Sequence, residues 1–125
     1  MGRAILVVDD DDAFRDSLCR VLRAEGYTVE AAADGRRAMH LLVAEPPDLV
    51  ITDILMPERD GLELMAEVKK ANPAIKILAM SGRGGFGRLD VLSLARRLGA
   101  HATLAKPFDQ EQLLAEVEAL LRGKT

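Results

Sequence analysis

Four stretches of this chain place charged or hydroxyl side chains where apolar runs end. Ile5-Leu6-Val7-Val8 runs into Asp9-Asp10-Asp11-Asp12, and Leu49-Val50-Ile51-Thr52 ends on Asp53. The run over 75–80 stops at Ser81, and Ala102-Thr103-Leu104-Ala105 ends on Lys106-Pro107-Phe108. Carboxylates crowded together raise one another's pKa, and a bound cation removes that cost. A few carboxylates, a backbone carbonyl and waters suit Mg²⁺, which keeps part of its hydration shell. Asp53 ends a strand too apolar to be solvated, and a carboxylate so placed can attack phosphorus to give an acyl phosphate. Lys106 would bring a second positive charge to the phosphoryl oxygens, and Ser81 a hydroxyl donor. Asp11 and Asp12 are better read as caps on a following helix, favoured by its positive N-terminal dipole. Asp9 and Asp10 touch the strand directly and are assigned to the site.

The elements that must hold these groups alternate along the chain. Continuous apolar runs mark strands at 5–8, 49–52 and 75–80, as expected where both sheet faces are covered. Residues 27–31 form a weaker, edge-like strand, and 102–105 a fifth. Phe14, Leu18, Val21 and Leu22 lie on one face of a first helix, with Gly26 suited to its C-terminal cap. A second helix is expected from Asp34 as N-cap to Ala44, stopped by Pro46-Pro47. A third spans Gly61 to Ala71, and a fourth Arg88 to Leu98, before Gly99. A last helix follows Asp109, whose spacing to Gln112 is that of a capping box, and buries Leu113, Leu114, Val117, Leu120 and Leu121. Strand–helix alternation with right-handed crossovers predicts an α/β fold: a doubly wound, five-stranded parallel sheet with five helices on both faces. Ligands of such a sheet bind at the carboxyl ends of its strands, where the acids and the lysine gather.

With 125 residues the chain is expected to be a single domain, 1–125, able to bury its own core. Apolar residues at 49% and charged residues at 30% are ordinary for a folded domain and argue against disorder. A net charge of −3 gives no basic footprint for nucleic acid. Cys19 is the only cysteine, so an internal disulfide is impossible, and its neighbours Leu18 and Val21 suit a buried thiol. No apolar run approaches the roughly 20 residues that span a bilayer, and with Met1-Gly2-Arg3 leading directly into the first strand no signal peptide is expected. A cytoplasmic protein is expected.

Over nearly its whole length this chain resembles the receiver domain of two-component response regulators. The match is carried by Leu6-Val7-Val8-Asp9-Asp10-Asp11, Asp53 with Met56-Pro57-Glu58-Arg59-Asp60-Gly61, Ser81-Gly82, Gly99-Ala100 and Lys106-Pro107-Phe108. The resemblance implies the sheet order 2-1-3-4-5 and a phosphorylation-dependent switch, not an enzyme that turns over a substrate. Asp53 would be the phosphoacceptor, served by a histidine kinase or a phosphotransfer protein. Mg²⁺ would be held by Asp10, Asp53 and the Leu55 carbonyl, with Asp9 assisting through water. Ser81 matches the switch hydroxyl and Lys106 the phosphoryl-sensing lysine, and the Lys106-Pro107 bond is usually cis in relatives. Phosphorylation would shift the surface of the fourth helix, fifth strand and fifth helix to regulate a downstream protein, as a monomer or a phosphorylation-dependent dimer. Phe14, Arg15 and Leu18 are candidates for kinase contact, with Phe14 and Leu18 equally suited to the core.

Two features depart from that pattern. Thr103 stands three residues before Lys106, where most relatives carry tyrosine or phenylalanine, and it cannot fill the volume such a ring fills on switching. Gly82, Gly84 and Gly87 spell Gly-x-Gly-x-x-Gly, but after the wrong strand for dinucleotide binding; a mobile segment near 82–88 is the better expectation. Leu55 and Arg83, at positions that tune phosphoryl loss in relatives, suggest slow self-dephosphorylation. His40 and His101 have no metal spacing and read as surface residues. Two other readings compete. A constitutive interaction module with the receiver fold is one. An aspartate-nucleophile phosphohydrolase is the other, but its nucleophile belongs on the first strand and it needs a cap domain.

Overall fold

The computed structural model describes residues 3–54, 61–82, 93 and 95–122. In chain order these form β1 (Ala4–Val8), α1 (Asp12–Ala24), β2 (Thr28–Ala32), α2 (Gly35–Ala44), β3 (Leu49–Asp53), α3 (Gly61–Ala71), β4 (Lys76–Ser81), β5 (Ala102–Ala105) and a C-terminal helix (Gln110–Arg122). Residues 93 and 95–97 are helical and belong to the fourth predicted helix. All strand pairs are parallel, in the order β2-β1-β3-β4-β5. The expected fold class is therefore observed, with β2 on an edge.

Alternation of side chains across the sheet explains why the central strands read as unbroken apolar runs. Ile5 and Val7, Leu49 and Ile51, and Leu78 and Met80 pack with α1 residues Leu18 and Leu22 and with Leu113, Val117 and Leu121 of the C-terminal helix. Leu6 and Val8, Val50 and Ile54, and Ile77 and Ala79 pack on the other face with Leu42 of α2 and Leu64, Met65 and Val68 of α3. Each fully buried aliphatic side chain of this size contributes roughly 1.5–3 kcal/mol, so both layers are needed.

Helix ends follow the expected chemistry. The Asp11 carboxylate accepts the Phe14 N–H and Asp34 accepts that of Arg37, each capping its helix. Asp109 and Gln112 exchange the two hydrogen bonds of a capping box, at 2.8 and 3.0 Å. Gly26 and Gly99 adopt φ of 98° and 117°, the left-handed turn that ends a helix. Leu113, Val117 and Leu121 are buried as expected, while Leu114 and Leu120 lie half-buried at the margin.

Two strands begin one residue later than the apolar pattern suggests, for a local reason. The Tyr27 N–H donates to Leu22 O within the turn that Gly26 makes, so β2 starts at Thr28. The Ile75 N–H likewise donates to Asn72 O, and β4 starts at Lys76. At their carboxyl ends strand four includes Ser81 and strand three includes Asp53. The expected mobile loop over 82–88 lies, beyond Gly82, outside the described residues. No described helix is long and apolar enough to cross a membrane.

Candidate functional site at the carboxyl edge of the sheet

The register of the sheet assembles the site. Val8 pairs with Thr52 and Asp53 pairs with Met80, so Asp9, one step beyond Val8, arrives beside Asp53 at the β1/β3 boundary. This boundary is where the strand order reverses, the usual ligand crevice of such sheets. Asp9 and Asp53 continue the alternation of Ile5/Val7 and Leu49/Ile51, and Lys106 continues that of Ala102/Leu104. All three therefore project toward the α1 side. Ser81 pairs with Ala105, and the Lys106 N–H donates to Ser81 O at 2.8 Å, fixing where the lysine stem departs.

One carboxylate oxygen from each of Asp9, Asp10 and Asp53 lies within 4.8 Å of the other two. Asp9 is fully buried and Asp53 is 8% exposed, whereas Asp10 faces solvent. Lys106 Nζ stands 2.9 Å from Asp9 Oδ2 and 3.3 Å from Asp53 Oδ2. Burial alone would lower the Lys106 pKa. The hydrogen bond that Lys106 donates to Asp9 and the charges of Asp53 and Asp9 override it and hold the ammonium above the ordinary lysine value.

Around this centre the main chain is braced. Asp9 Oδ1 accepts the Asp11 N–H at 2.9 Å, and the Arg15 guanidinium donates to Asp9 O at 2.7 Å while pairing with Asp12. Thr52 Oγ1 donates to Asp53 O at 3.0 Å. The Gly61 N–H donates to Ile54 O at 2.6 Å, and a Cβ on Gly61 would overlap Asp53 O and stand 2.8 Å from Ile54 Cα. Glycine is required there by close approach to the strand that carries Asp53.

The structure brings together Asp9, Asp10, Asp53 and Lys106, while Ser81 is buried at the end of β4 with its Oγ 3.4 Å from Gly82 O. The Lys106-Pro107 bond is cis, as expected. Thr103 is half-buried, pairs with Ala79 and alternates away from Ala102 and Leu104. Leu55 and Arg83 lie outside the described residues. Of the kinase-contact candidates, Leu18 is core at 4% exposure and Arg15 is engaged with Asp9 and Asp12. Phe14 is half-buried, and its ring lies 4.1 Å from Lys106 Nζ. Sequence reading missed that contact, because helical spacing places Phe14 on the apolar face without saying which polar atom reaches it. His40 and His101 are both exposed as expected, and His101 Nδ1 in addition accepts the Ile77 N–H at 3.0 Å and caps β4.

Comparison with known proteins agrees with this geometry. The family model described as the response regulator receiver domain matches residues 5–118. The response regulator MprA of Mycolicibacterium vanbaalenii is 44% identical over 121 residues, 97% of this chain and 51% of that protein. The MprA of Mycobacterium ulcerans is 42% identical, over 98% of this chain and 51% of its own length. The chain thus spans about half the length of these curated relatives. A CheY-like receiver domain protein from Methanospirillum hungatei superposes with a TM-score of 0.91 at 31% identity, covering 99% of this chain and 97% of that one. NtrX from Brucella abortus gives 0.91 at 32% identity over 99% of this chain and 28% of its own.

Proposed function

This chain belongs to the response regulator receiver domain family, and on that premise we propose that it is a switch phosphorylated on Asp53. The observation that carries this reading is the convergence of three carboxylates and one lysine at the β1/β3 crevice. Donors and charge both fit Mg²⁺. The group is all hard oxygen, Lys106 offsets one of its three negative charges, and Asp10 opens it to solvent, which suits an ion that keeps its waters. Asp10, Asp53 and the Leu55 carbonyl would hold the ion. Asp9, already accepting from Asp11 and Lys106, would act through water. When bound, Mg²⁺ supplies charge neutralisation on the phosphoryl oxygens.

The chain's own residues do the rest. An Asp53 carboxylate oxygen attacks the phosphorus of a phosphohistidine on a histidine kinase or phosphotransfer protein. The P–N bond breaks, its electron pair returns to the imidazole nitrogen, and an acyl phosphate remains on Asp53. Lys106, already within reach of Asp53 Oδ2, turns its ammonium to a phosphoryl oxygen. The Ser81 hydroxyl leaves Gly82 O for the same group. Thr52 and Gly61 hold the Asp53 backbone still while this happens.

The readout is a population shift in the surface of the fourth helix, β5 and the C-terminal helix, offered to a downstream protein. Thr103 replaces a ring with a small side chain, so coupling to that surface is weaker than in receivers with an aromatic residue there. Residues 1–125 act as one receiver unit in the cytoplasm, regulatory rather than catalytic. It is monomeric or dimerises on phosphorylation, and Leu55 and Arg83 keep self-dephosphorylation slow.

The test is intact mass after incubation with a small acyl phosphate, with and without Mg²⁺. A Mg²⁺-dependent gain of one phosphoryl group, absent in Asp53→Asn, is the expected result. No gain in the wild type under conditions where it binds Mg²⁺ would replace the switch by a constitutive interaction module.

A further inference from the structure

Three contacts of Lys106 differ in character. Its Nζ meets Asp9 Oδ2 at 2.9 Å and Asp53 Oδ2 at 3.3 Å, and it lies 4.1 Å from the centroid of the Phe14 ring. The ring is itself held on two sides. The Phe14 N–H donates to the Asp11 cap, and Phe108, two residues beyond Lys106, packs edge-on with centroids 5.8 Å apart and planes at 76°. The pair thus ties α1 to the segment that carries the lysine.

A lysine ammonium is a point charge on a four-carbon stem with many rotamers, and nothing intrinsic keeps it at one place. The negative face of an aromatic ring attracts it without contributing a formal charge. That distinction matters in a pocket that already gathers three carboxylates. A fourth acid beside Lys106 would hold the ammonium but oppose an anionic phosphoryl group, and water there would compete for its N–H donors. A ring does neither.

We propose that Phe14 is a positioning residue for phosphoryl acceptance, holding the Lys106 ammonium over its face so that it stays between Asp9 and Asp53. The proposal rests on the reading of Asp53 as phosphoacceptor. Its consequence is electronic as well as steric. Weakening the π face at constant shape slows phosphorylation, and restoring a π face rescues it.

The experiment replaces Phe14 by mono-, di- and trifluorophenylalanine, and in separate variants by leucine and tyrosine. The rate of phosphorylation from a small acyl phosphate at saturating Mg²⁺ avoids any effect on kinase docking. In parallel, the Lys106 ε-methylene proton shifts are read by NMR without phosphodonor. The rate is expected to fall stepwise with fluorination, to drop about fivefold in Phe14→Leu, and to recover in Phe14→Tyr. The Lys106 ε-methylene protons are expected upfield in the wild type, through the ring current, and at ordinary positions in Phe14→Leu. Rates equal across the fluorinated series overturn the proposal, and so does a Lys106 shift identical in wild type and Phe14→Leu. A wild type that gains no phosphoryl group sinks the Asp53 reading instead, and the NMR shift then decides by itself whether Phe14 holds the lysine.

Discussion

The two edges of the sheet use similar side chains against different partners. At the amino edge, Asp48 Oδ2 accepts the Ala4 N–H at 2.9 Å, the Asp48 N–H donates to Ala4 O, and Asp48 O accepts the Lys76 N–H. One aspartate thus joins the starts of β1, β3 and β4. His101 does the same for β4 and β5, its Nδ1 accepting the Ile77 N–H and its own N–H donating to Ile77 O at 2.8 Å. Polar groups at this edge are spent on the main chain. At the carboxyl edge, Asp9 and Asp53 bring their oxygens together, and Lys106 spans them. Grouping like charges costs stability unless a cation or ligand answers them. The difference separates an edge whose polar groups hold the main chain from an edge whose carboxylates converge on one another.

Variants at matched aspartates should break the comparison most sharply. Asp53→Asn is expected to abolish phosphoryl gain while leaving the melting temperature within a few degrees. Asp48→Ala should do the reverse, keeping the labelling rate while leaving the Ala4 N–H without its carboxylate, at a cost of about 1–2 kcal/mol of stability measured by urea unfolding. Equal losses of labelling in both would erase the distinction between edges.

Gly61→Ala tests how tightly the backbone under Asp53 is set. Its Cβ collides with main-chain atoms, which cannot rotate away, so a loss of about 3 kcal/mol or failure to fold is expected by denaturant unfolding. Gly26→Ala, a left-handed position with no atom within 4 Å of the new Cβ, should cost about 1 kcal/mol in the same assay. If Gly61→Ala proves the milder of the two, the close approach is not what demands glycine.

The smallest effect concerns pH at the amino edge. Burial, reinforced by Lys69 and Lys76, lowers the His101 pKa below its ordinary value of 6.5. The unfolded chain therefore takes up a proton first as pH falls. The contribution of neutral His101 is fully present above about 6.5 and is lost as pH falls toward the depressed folded value. The wild type should lose more stability than His101→Ala between about pH 7.5 and 5, read as the difference in urea midpoints. Parallel pH curves would remove His101 from the account.

Much of this molecule is legible along the chain because its signals are local. Unbroken apolar runs announce strands covered on both faces, the Asp34 and Asp109 caps announce helix starts, and acids at strand ends announce the edge where carboxylates converge. The turns at Tyr27 and Ile75 shifted two strand starts, because a hydrogen bond back to the preceding turn takes the N–H that a strand pattern assigns to the sheet.

Sequence by itself therefore determined the fold class, the helix caps and the set of residues, Asp9, Asp10, Asp53, Ser81 and Lys106, that the carboxyl edge carries. Tertiary structure alone decided their company. It put the Lys106 ammonium over Phe14 and between two carboxylates, anchored Arg15 on the Asp9 carbonyl, set Gly61 against Asp53, and turned His101 into a cap for β4. Periodicity and capping depend on neighbours within a few residues, whereas these contacts join groups from 6 to 97 positions apart. Which atoms meet at that range follows from strand register and from how helices pack on the sheet. Those are properties of the whole core, and no single segment encodes them.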